Sequence, residues 1–384
     1  MWKTWRTKSI SFVFQNTKRM QTDRSSTTGA LAPGLRRASR IVSVWLAIGV
    51  FLVFMQIVIG GITRLTGSGL SITKWEIITG TLPPLNATQW EAAFELYQST
   101  PQYQKLNEGM SMSQFKFIYF WEYFHRVWAR MMGFVFIIPF LFFWRKKWIS
   151  PYLMRRLGVV ILLAGLAASF GWIMVASGLV DRPWVNAYNL TLHLSIALTL
   201  YSYLFWTMLK TALPFPHVFH SSVLKRWAIG IGVVLAFQIV LGGVMSGMKA
   251  GINFPTWPEM NGELIPSVLL DLSNWNGKNF IEYDQHVFMP ALVQFLHRGT
   301  AYILTVMVLY FSFLTFKQPG NASLSSAVYL VLGSISLQVL LGIWTVIRCL
   351  GTVPVGLGVL HQAGAILLLS AVLFLYYQVS GRPK

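Results

Sequence analysis

Eight long apolar segments alternate along the chain with polar loops, and each is long enough to cross a lipid bilayer. A membrane-spanning helix needs about 20 predominantly apolar residues, and each segment meets that length with few ionisable side chains. We place the segments near Ile41–Ile62, Phe117–Trp144, Leu157–Val180, Val185–Leu209, Trp227–Met248, Val287–Phe316, Asn321–Ile347 and Val353–Val379. The pattern therefore predicts an all-α polytopic membrane protein with eight transmembrane helices.

The eight predicted helices fall into two similar sets of four. The first helix carries Gln-Ile-Val-Ile-Gly-Gly at Gln56–Gly61, and the fifth carries Gln-Ile-Val-Leu-Gly-Gly at Gln238–Gly243. The second helix carries Glu-Tyr-Phe-His-Arg at Glu122–Arg126, and the sixth carries Gln-Phe-Leu-His-Arg at Gln294–Arg298. An even number of helices separates the copies, so both have the same topology and an axis along the membrane normal relates them. The repeat predicts two pseudo-symmetric four-helix bundles.

Composition supports this class and excludes others. Of the 384 residues, 54% are hydrophobic and only 11% are charged, which is too little charge for a soluble protein of this size. The formal net charge of +19 does not indicate nucleic-acid binding, because the basic residues concentrate near the N-terminus and in two loops. The single cysteine, Cys349, excludes an internal disulfide and a thiolate metal cluster.

The basic residues predict the orientation and the domain boundaries. The first 40 residues carry nine Lys and Arg and one acid, and the loops after the second and fourth helices are also basic. Both termini are therefore expected in the cytoplasm or matrix. The tail at 1–40 fits a disordered basic segment of a bacterial membrane protein or an organellar transit peptide. It precedes a first half at 41–212 and a second half at 213–384.

Four of the seven histidines lie in predicted transmembrane helices, one in each even-numbered helix: His125, His193, His297 and His361. Two imidazoles on neighbouring helices of one bundle suit the two axial positions of a heme iron. A structural zinc site needs further protein ligands, and copper held by histidine alone leaves the apolar surroundings unexplained. The histidines therefore favour one heme site in each half, although a membrane histidine can also be a satisfied polar group.

Three further residues complete the candidate sites. Arg126 and Arg298 each follow a histidine and are candidates for pairing with heme propionates, or for anchoring at the membrane interface. Glu122 lies one helical turn from His125, where the second half has Gln294. A carboxylate there can accept or relay protons during chemistry at the first heme, so the first half is the candidate reactive half. The alternative is a structural ion pair between Glu122 and Arg126 at i+4.

These motifs resemble the heme A synthase family of bacterial and mitochondrial inner membranes. The resemblance runs from about Val42 to the C-terminus. Its most specific pieces are Gly60-Gly-Ile-Thr-Arg-Leu-Thr-Gly-Ser-Gly-Leu-Ser71, Phe115-Lys-Phe-Ile-Tyr-Phe-Trp-Glu-Tyr-Phe-His-Arg126, Gln294-Phe-Leu-His-Arg298 and Leu360-His-Gln-Ala-Gly364. Some bacterial members carry paired cysteines in their outer loops. This chain has none there and resembles the cysteine-free, longer-loop type.

The resemblance implies an oxidoreductase that hydroxylates the C8 methyl of heme O twice, so that loss of water leaves the formyl group of heme A for cytochrome oxidase. It implies that His297 and His361 bind a heme b cofactor, and that heme O occupies the first half with His125 and His193, beside Glu122. An external electron donor, ferredoxin-like in some members, is implied as a partner. Heme O synthase and a second copy of this chain are further candidates.

Two other functions remain open from the residues alone. A membrane protein that carries two b hemes and only transfers electrons has the same histidine pattern, and it predicts full function when Glu122 is replaced by Gln. A transporter built on the repeat, with histidines that relay protons, predicts a protein without bound heme. The resemblance favours the synthase in the bacterial inner membrane, with the mitochondrial inner membrane as the alternative.

Overall fold

The fold is helical, and a computed structural model describes residues 33–74, 82–179, 183–213, 221–318 and 322–380. Within these residues, eight helices are long and apolar enough to cross a membrane, which confirms the predicted fold class. They are α1 (Pro33–Leu65), α2 (Met112–Arg145), α3 (Pro151–Gly178), α4 (Ala187–Ala212), α5 (Ser222–Gly247), α6 (Phe288–Phe316), α7 (Ala322–Ile347) and α8 (Val355–Val379).

Local sequence signals determine where several helices begin. Ser111 caps α2 and forms a capping box with Gln114, so both side chains satisfy free backbone amides of the first turn. Ser150 and Ser221 are the N-caps of α3 and α5, and each side chain accepts a hydrogen bond from the backbone amide three residues later. Helix α1 spans Pro33–Leu65 and so includes residues upstream of the predicted segment. Residues 1–32 of the predicted tail lie outside the described residues.

The helix contacts repeat between the two sets of four. In the first set, α1 packs against α2 and α4, and α3 packs against α4. In the second set, α5 packs against α6 and α8, and α7 packs against α8. Between the sets, α4 contacts α5 and α1 contacts α8, which are equivalent pairs under a two-fold relation. This pattern is consistent with two pseudo-symmetric four-helix bundles.

The second glycine of each Gly-Gly pair lets helices from different halves approach closely. A Cβ atom at Gly61 would lie 2.6 Å from Oε1 of Gln362 on α8. A Cβ atom at Gly243 would lie 3.1 Å from the Thr191 methyl on α4. These glycines therefore allow the α1–α8 and α4–α5 contacts that join the halves, as small residues do between membrane helices.

Two long loops lie on one side of the molecule, called here the long-loop side. They join α1 to α2 and α5 to α6, and each contains short helices. The first loop packs Tyr97 against Phe115 at the start of α2, with ring centroids 5.3 Å apart. The second loop reaches across to the first half, where the Ala187 amide donates to the Tyr283 hydroxyl over 2.8 Å. The loops are thus packed onto the helix ends beside the histidines.

Candidate functional site

One cavity contains all four predicted histidines. Its volume is about 1110 Å³, and it extends through both halves, with all eight long helices contributing to its walls. Each histidine lies in the half of its helix that is nearer the long-loop side, which is why the four side chains share one depth. The structure therefore brings together the histidines that the sequence placed in separate repeats. They are His125, His193, His297 and His361.

Each histidine ring packs against a glycine on the preceding helix of its own half. A Cβ atom at any of these glycines would lie between 2.9 and 3.2 Å from the facing ring, which is too close for an unshifted side chain. The glycines therefore leave room for the imidazoles. The pairs are Gly60 with His125, Gly171 with His193, Gly242 with His297, and Gly342 with His361.

Three of the four histidines also meet a glutamine that lies one turn before the glycine. The Gln56 amide nitrogen is 2.9 Å from Nε2 of His125, and the Gln238 amide nitrogen is 3.3 Å from Nε2 of His297. Gln338 donates to the backbone carbonyl of His361 over 2.9 Å. On α3, the equivalent position, four residues before Gly171, is occupied by Ala167. These contacts restrain two of the imidazoles and the backbone of His361, so the glutamines belong to the candidate site.

The histidines of the second half fit a metal bound between two imidazoles. Their ring centroids, those of His297 and His361, are 6.4 Å apart, with the ring planes at 76°. Two metal–imidazole bonds of about 2 Å, plus about 1 Å from each nitrogen to its ring centre, give roughly 6 Å. The Nδ1 atoms of His193, His297 and His361 are buried without a hydrogen-bond partner among the described residues. These rings therefore have nitrogen lone pairs or protons that the chain does not satisfy.

The donor set also favours two protein ligands for each metal. Among the described residues, no group of three or more His, Cys, Asp or Glu side chains is placed to hold a metal ion. Cys349 is free and buried, and burial raises the pKa of its thiol. A macrocycle that supplies the remaining ligands satisfies this arrangement, whereas a zinc site held by protein alone does not.

Glu122 fastens the first long loop to α2. Its Oε2 accepts hydrogen bonds from the Ser71 hydroxyl and the Ile72 amide, both at 2.7 Å. Its Oε1 pairs with Arg126 at 2.5 Å, and Arg126 also donates to the Ile72 carbonyl. The carboxylate is only 3% exposed, yet it lines the cavity. The ion pair at i+4 is therefore present, and the carboxylate also positions the loop beside His125.

Gln294 and Arg298 fasten the second long loop in the same way. The Gln294 amide donates to the Phe254 carbonyl over 2.8 Å, and Arg298 donates to the carbonyls of Phe254, Thr256 and Glu259. The first loop thus presents donors to a glutamate, whereas the second presents carbonyl acceptors to a glutamine amide. This difference gives the Glu/Gln exchange a structural basis that the sequence pattern alone did not reveal.

Sequence analysis missed the role of the three glutamines. Gln56 and Gln238 belong to the quoted repeat motif, but no chemistry was assigned to them. The available signal was the spacing of four residues between a glutamine and a glycine, which places both on one helix face. The same spacing occurs at Gln338 and Gly342 on α7.

Comparisons with known proteins agree with this site. The sequence model of the cytochrome oxidase assembly protein family matches residues 43–373. The chain is similar to a heme A synthase of Nitrosospira multiformis, with 38% identity over 341 residues that cover 88% of this chain and 93% of that protein. It is also similar to heme A synthases of Bradyrhizobium diazoefficiens, with 39% identity over 90% of this chain and 93% of that protein, and of Flavobacterium johnsoniae, with 36% over 90% and 100%. This chain therefore belongs to the cytochrome oxidase assembly protein family, and heme A synthases are among its relatives.

Proposed function

We propose that this protein is a heme A synthase, which oxidises the C8 methyl group of heme O to the formyl group of heme A. The observation that carries the proposal is the second-half pair, His297 and His361, whose rings face each other across 6.4 Å within a cavity that also contains His125 and His193. The names of the relatives support the same reaction.

The halves have different roles in this proposal. His297 and His361 hold a heme b cofactor, and His125 and His193 hold the heme O substrate. The difference in the walls supports this assignment, because α3 presents three alanines to the cavity where α7 presents larger side chains. The aligned pairs are Ala164 with Ile335, Ala167 with Gln338, and Ala168 with Val339. The first half therefore has more room for a heme with a long apolar chain, which heme O has and heme b lacks.

The packing of the helices also supports the first half as the substrate half. Helix α6 packs along α7 in the second half, but the equivalent helices α2 and α3 are not among the closely packed pairs of the described residues. Large apolar side chains on α2 and α3 are exposed, among them Phe134, Ile138 and Leu162. A substrate that partitions into the bilayer can reach the first half between these two helices.

The heme b cofactor, when bound, supplies one-electron transfer to the substrate half. Both histidine pairs line the same cavity of the described residues, which supports electron transfer between the halves. The electrons come from an external donor, for which a ferredoxin-like protein is a candidate. Heme O synthase is the candidate source of the substrate, and a second copy of this chain is a candidate partner in the membrane.

We propose that Glu122 acts on the substrate, by accepting or relaying a proton, and also positions the first loop. Its two oxygens accept three hydrogen bonds, so its carboxylate is fixed beside His125 with little freedom to reorient. A carboxylate has about four lone-pair sites, which leaves one for a proton or for a water on the cavity side. We also propose that Arg126 and Arg298, which line the cavity beside the histidines, pair with heme propionates.

The proposed location is the bacterial inner membrane, since the relatives named above are bacterial. The basic loops after α2 and α4 support a cytoplasmic location for both termini, by the positive-inside rule. The mitochondrial inner membrane, with the termini in the matrix, is the alternative. The tail at 1–40, the first half at 41–212 and the second half at 213–384 remain the proposed division of the chain.

Extraction of the hemes from the purified protein, followed by chromatography with mass detection, tests the proposed function. Heme B together with heme O, heme A or a hydroxylated intermediate supports it. Heme B alone, at two per chain, would favour an electron-transfer protein. A purified protein without bound heme would favour the transporter hypothesis, in which the histidines relay protons.

Single histidine variants test the roles of the halves. His125→Ala and His193→Ala are expected to abolish heme A while the heme b absorption remains, because heme b is held by the other half. His361→Ala is expected to remove heme b. Simultaneous loss of both hemes from His193→Ala would contradict the assignment of independent sites.

A further inference from the structure

Two cations, the half-buried Arg64 and the exposed Lys249, line the cavity where the halves join. Arg64 lies in the last turn of α1, and Lys249 follows the end of α5, so each half contributes one charge. Both line the cavity that contains the histidines. The positive charge of Arg64 is close enough to Lys249 to affect its protonation.

Within the described residues, the acceptors for Arg64 are backbone carbonyls. One of its terminal nitrogens donates to the carbonyls of Ser246 and Gly247 at the end of α5, over 3.0 and 3.1 Å. Its Nε atom is buried and has no hydrogen-bond partner among those residues. The guanidinium therefore caps a helix of the other half, as cations do at helix C-termini, and still has an unsatisfied donor.

Lys249 is held over an aromatic ring. Its Nζ lies 5.3 Å from the centroid of the Trp184 ring, which is a cation–π arrangement. Burial lowers the pKa of Lys249, the charge of Arg64 lowers it further, and Asp284 partly opposes the shift. Among the ion pairs of the described residues, none includes Lys249 or Arg64.

The Arg64 Nε, a buried donor without a partner among the described residues, is costly unless an anion compensates it. The arginines that follow the histidines each donate to two or more loop carbonyls, so Arg64 and Lys249 are additional cations for the carboxylates of a ligand. An anion between Arg64 and Lys249 would satisfy both charges and would contact both halves.

We propose that Arg64 and Lys249 bind the carboxylates of the ligand in this cavity. This inference rests on the proposed function, since a heme is a ligand with an apolar body and two propionate groups. Charge-assisted hydrogen bonds between guanidinium or ammonium groups and carboxylates are about twice as strong as neutral ones. The ligand would thus be oriented with its carboxylates toward the long-loop side.

A comparison of two ligands tests the inference. The purified protein, in nanodiscs of neutral lipid, is titrated with hemin and with hemin dimethyl ester, and the Soret band is followed. The variants Arg64→Gln and Lys249→Gln are expected to weaken hemin binding about tenfold or more, and to leave binding of the ester unchanged. Arg348→Gln, at an exposed cation after α7, is the matched control and is expected to behave like the unchanged protein.

The conservative variants Arg64→Lys and Lys249→Arg are expected to retain most of the preference for hemin over its ester. An equal loss for both ligands would identify a structural role and overturn the inference, as would unchanged hemin binding. The titrations are repeated in nanodiscs of anionic lipid, to test whether a lipid headgroup is the anion. If the glutamine variants lose binding of both ligands only in anionic lipid, the anion is a lipid headgroup and the inference is overturned.

The titrations distinguish this inference from the proposed function. If the unchanged protein shifts the Soret band of neither ligand, the proposed function fails, and the inference fails with it. If the unchanged protein binds hemin and the glutamine variants bind it equally well, only the inference fails.

Discussion

Gln362 donates a 2.7 Å hydrogen bond from Nε2 to the backbone carbonyl of Ile57 and so joins α8 of the second half to α1 of the first. Gln362 directly follows His361. Ile57 directly follows Gln56, whose amide lies 2.9 Å from Nε2 of His125. A single side chain therefore connects segments that carry histidine contacts in both halves, and a change there acts on two sites.

Replacement of Gln362 by Met keeps the side-chain length but removes the donor. We expect Gln362→Met to lower the free energy of unfolding by about 1 kcal/mol, as for one hydrogen bond, measured by thermal or denaturant unfolding in detergent. We also expect the absorption and electron paramagnetic resonance signals to change for the hemes of both halves, since α1 and α8 each lose a contact.

The control is Thr199→Val, which removes a side-chain hydrogen bond to the Ser195 carbonyl on the exposed surface of α4. It is expected to leave both heme signals unchanged. Spectral changes confined to the second-half heme in Gln362→Met would show that this contact does not connect the sites.

The glycine beside each histidine gives a second prediction. A Cβ atom at Gly342 would lie 2.9 Å from Cε1 of His361, so Gly342→Ala must displace the ring. We expect this variant to lose most of its heme b absorption while the fold is retained. Gly299→Ala is the matched control, because a Cβ atom there meets nothing within 4 Å. A normal heme b spectrum in Gly342→Ala would show that the ring position is not fixed by this contact.

The repeated features of the site could be predicted from the sequence, because they depend on helix periodicity. Apolar length determines the number of helices, and the recurrence of histidine at one place in each even helix brings the four rings to one depth. The i+4 contact of Glu122 with Arg126 could be predicted, but its contacts with the first loop could not. Its partners, Ser71 and Ile72, lie in a loop about fifty positions away, and no local pattern places that loop against α2.

The start of α1 shows a similar limit. Hydropathy placed the first helix at Ile41, because the residues before it are polar and basic. The helix already includes Pro33, because helical hydrogen bonding continues beyond the apolar part of the segment. Apolar length thus predicts the part of a helix that crosses the bilayer, and it does not predict where backbone hydrogen bonding begins.

Glu122 gives a third prediction, which concerns both of its proposed roles. We expect Glu122→Gln to lower the yield of heme A about tenfold or more, because an amide cannot accept a proton in the reaction. We also expect faster hydrogen exchange at the Ile72 amide, because the pairing with Arg126 is lost and the loop is held less firmly. Mass-spectrometric heme analysis and hydrogen exchange measure the two effects separately.

Gln294→Glu is the matched change in the second half. A carboxylate cannot donate to the Phe254 carbonyl, so this variant is expected to loosen the second loop, with a smaller effect on the yield of heme A than Glu122→Gln has. A normal yield of heme A in Glu122→Gln would contradict the proposal that Glu122 acts on the substrate, even if hydrogen exchange in the loop became faster.

The alanines of α3 give the last prediction. Ala168 lines the cavity where the aligned residue of α7 is Val339. Ala168→Val adds two methyl groups to the wall of the proposed substrate half, and overpacking a fitted site typically costs about 1–3 kcal/mol. We expect it to reduce heme O binding and heme A yield about tenfold, and to leave heme b content unchanged. The reverse change, Val339→Ala, is expected to leave heme O binding unchanged. If Ala168→Val lowered heme b content and spared heme O, the assignment of the two halves would have to be exchanged, because the narrower wall would then border the substrate.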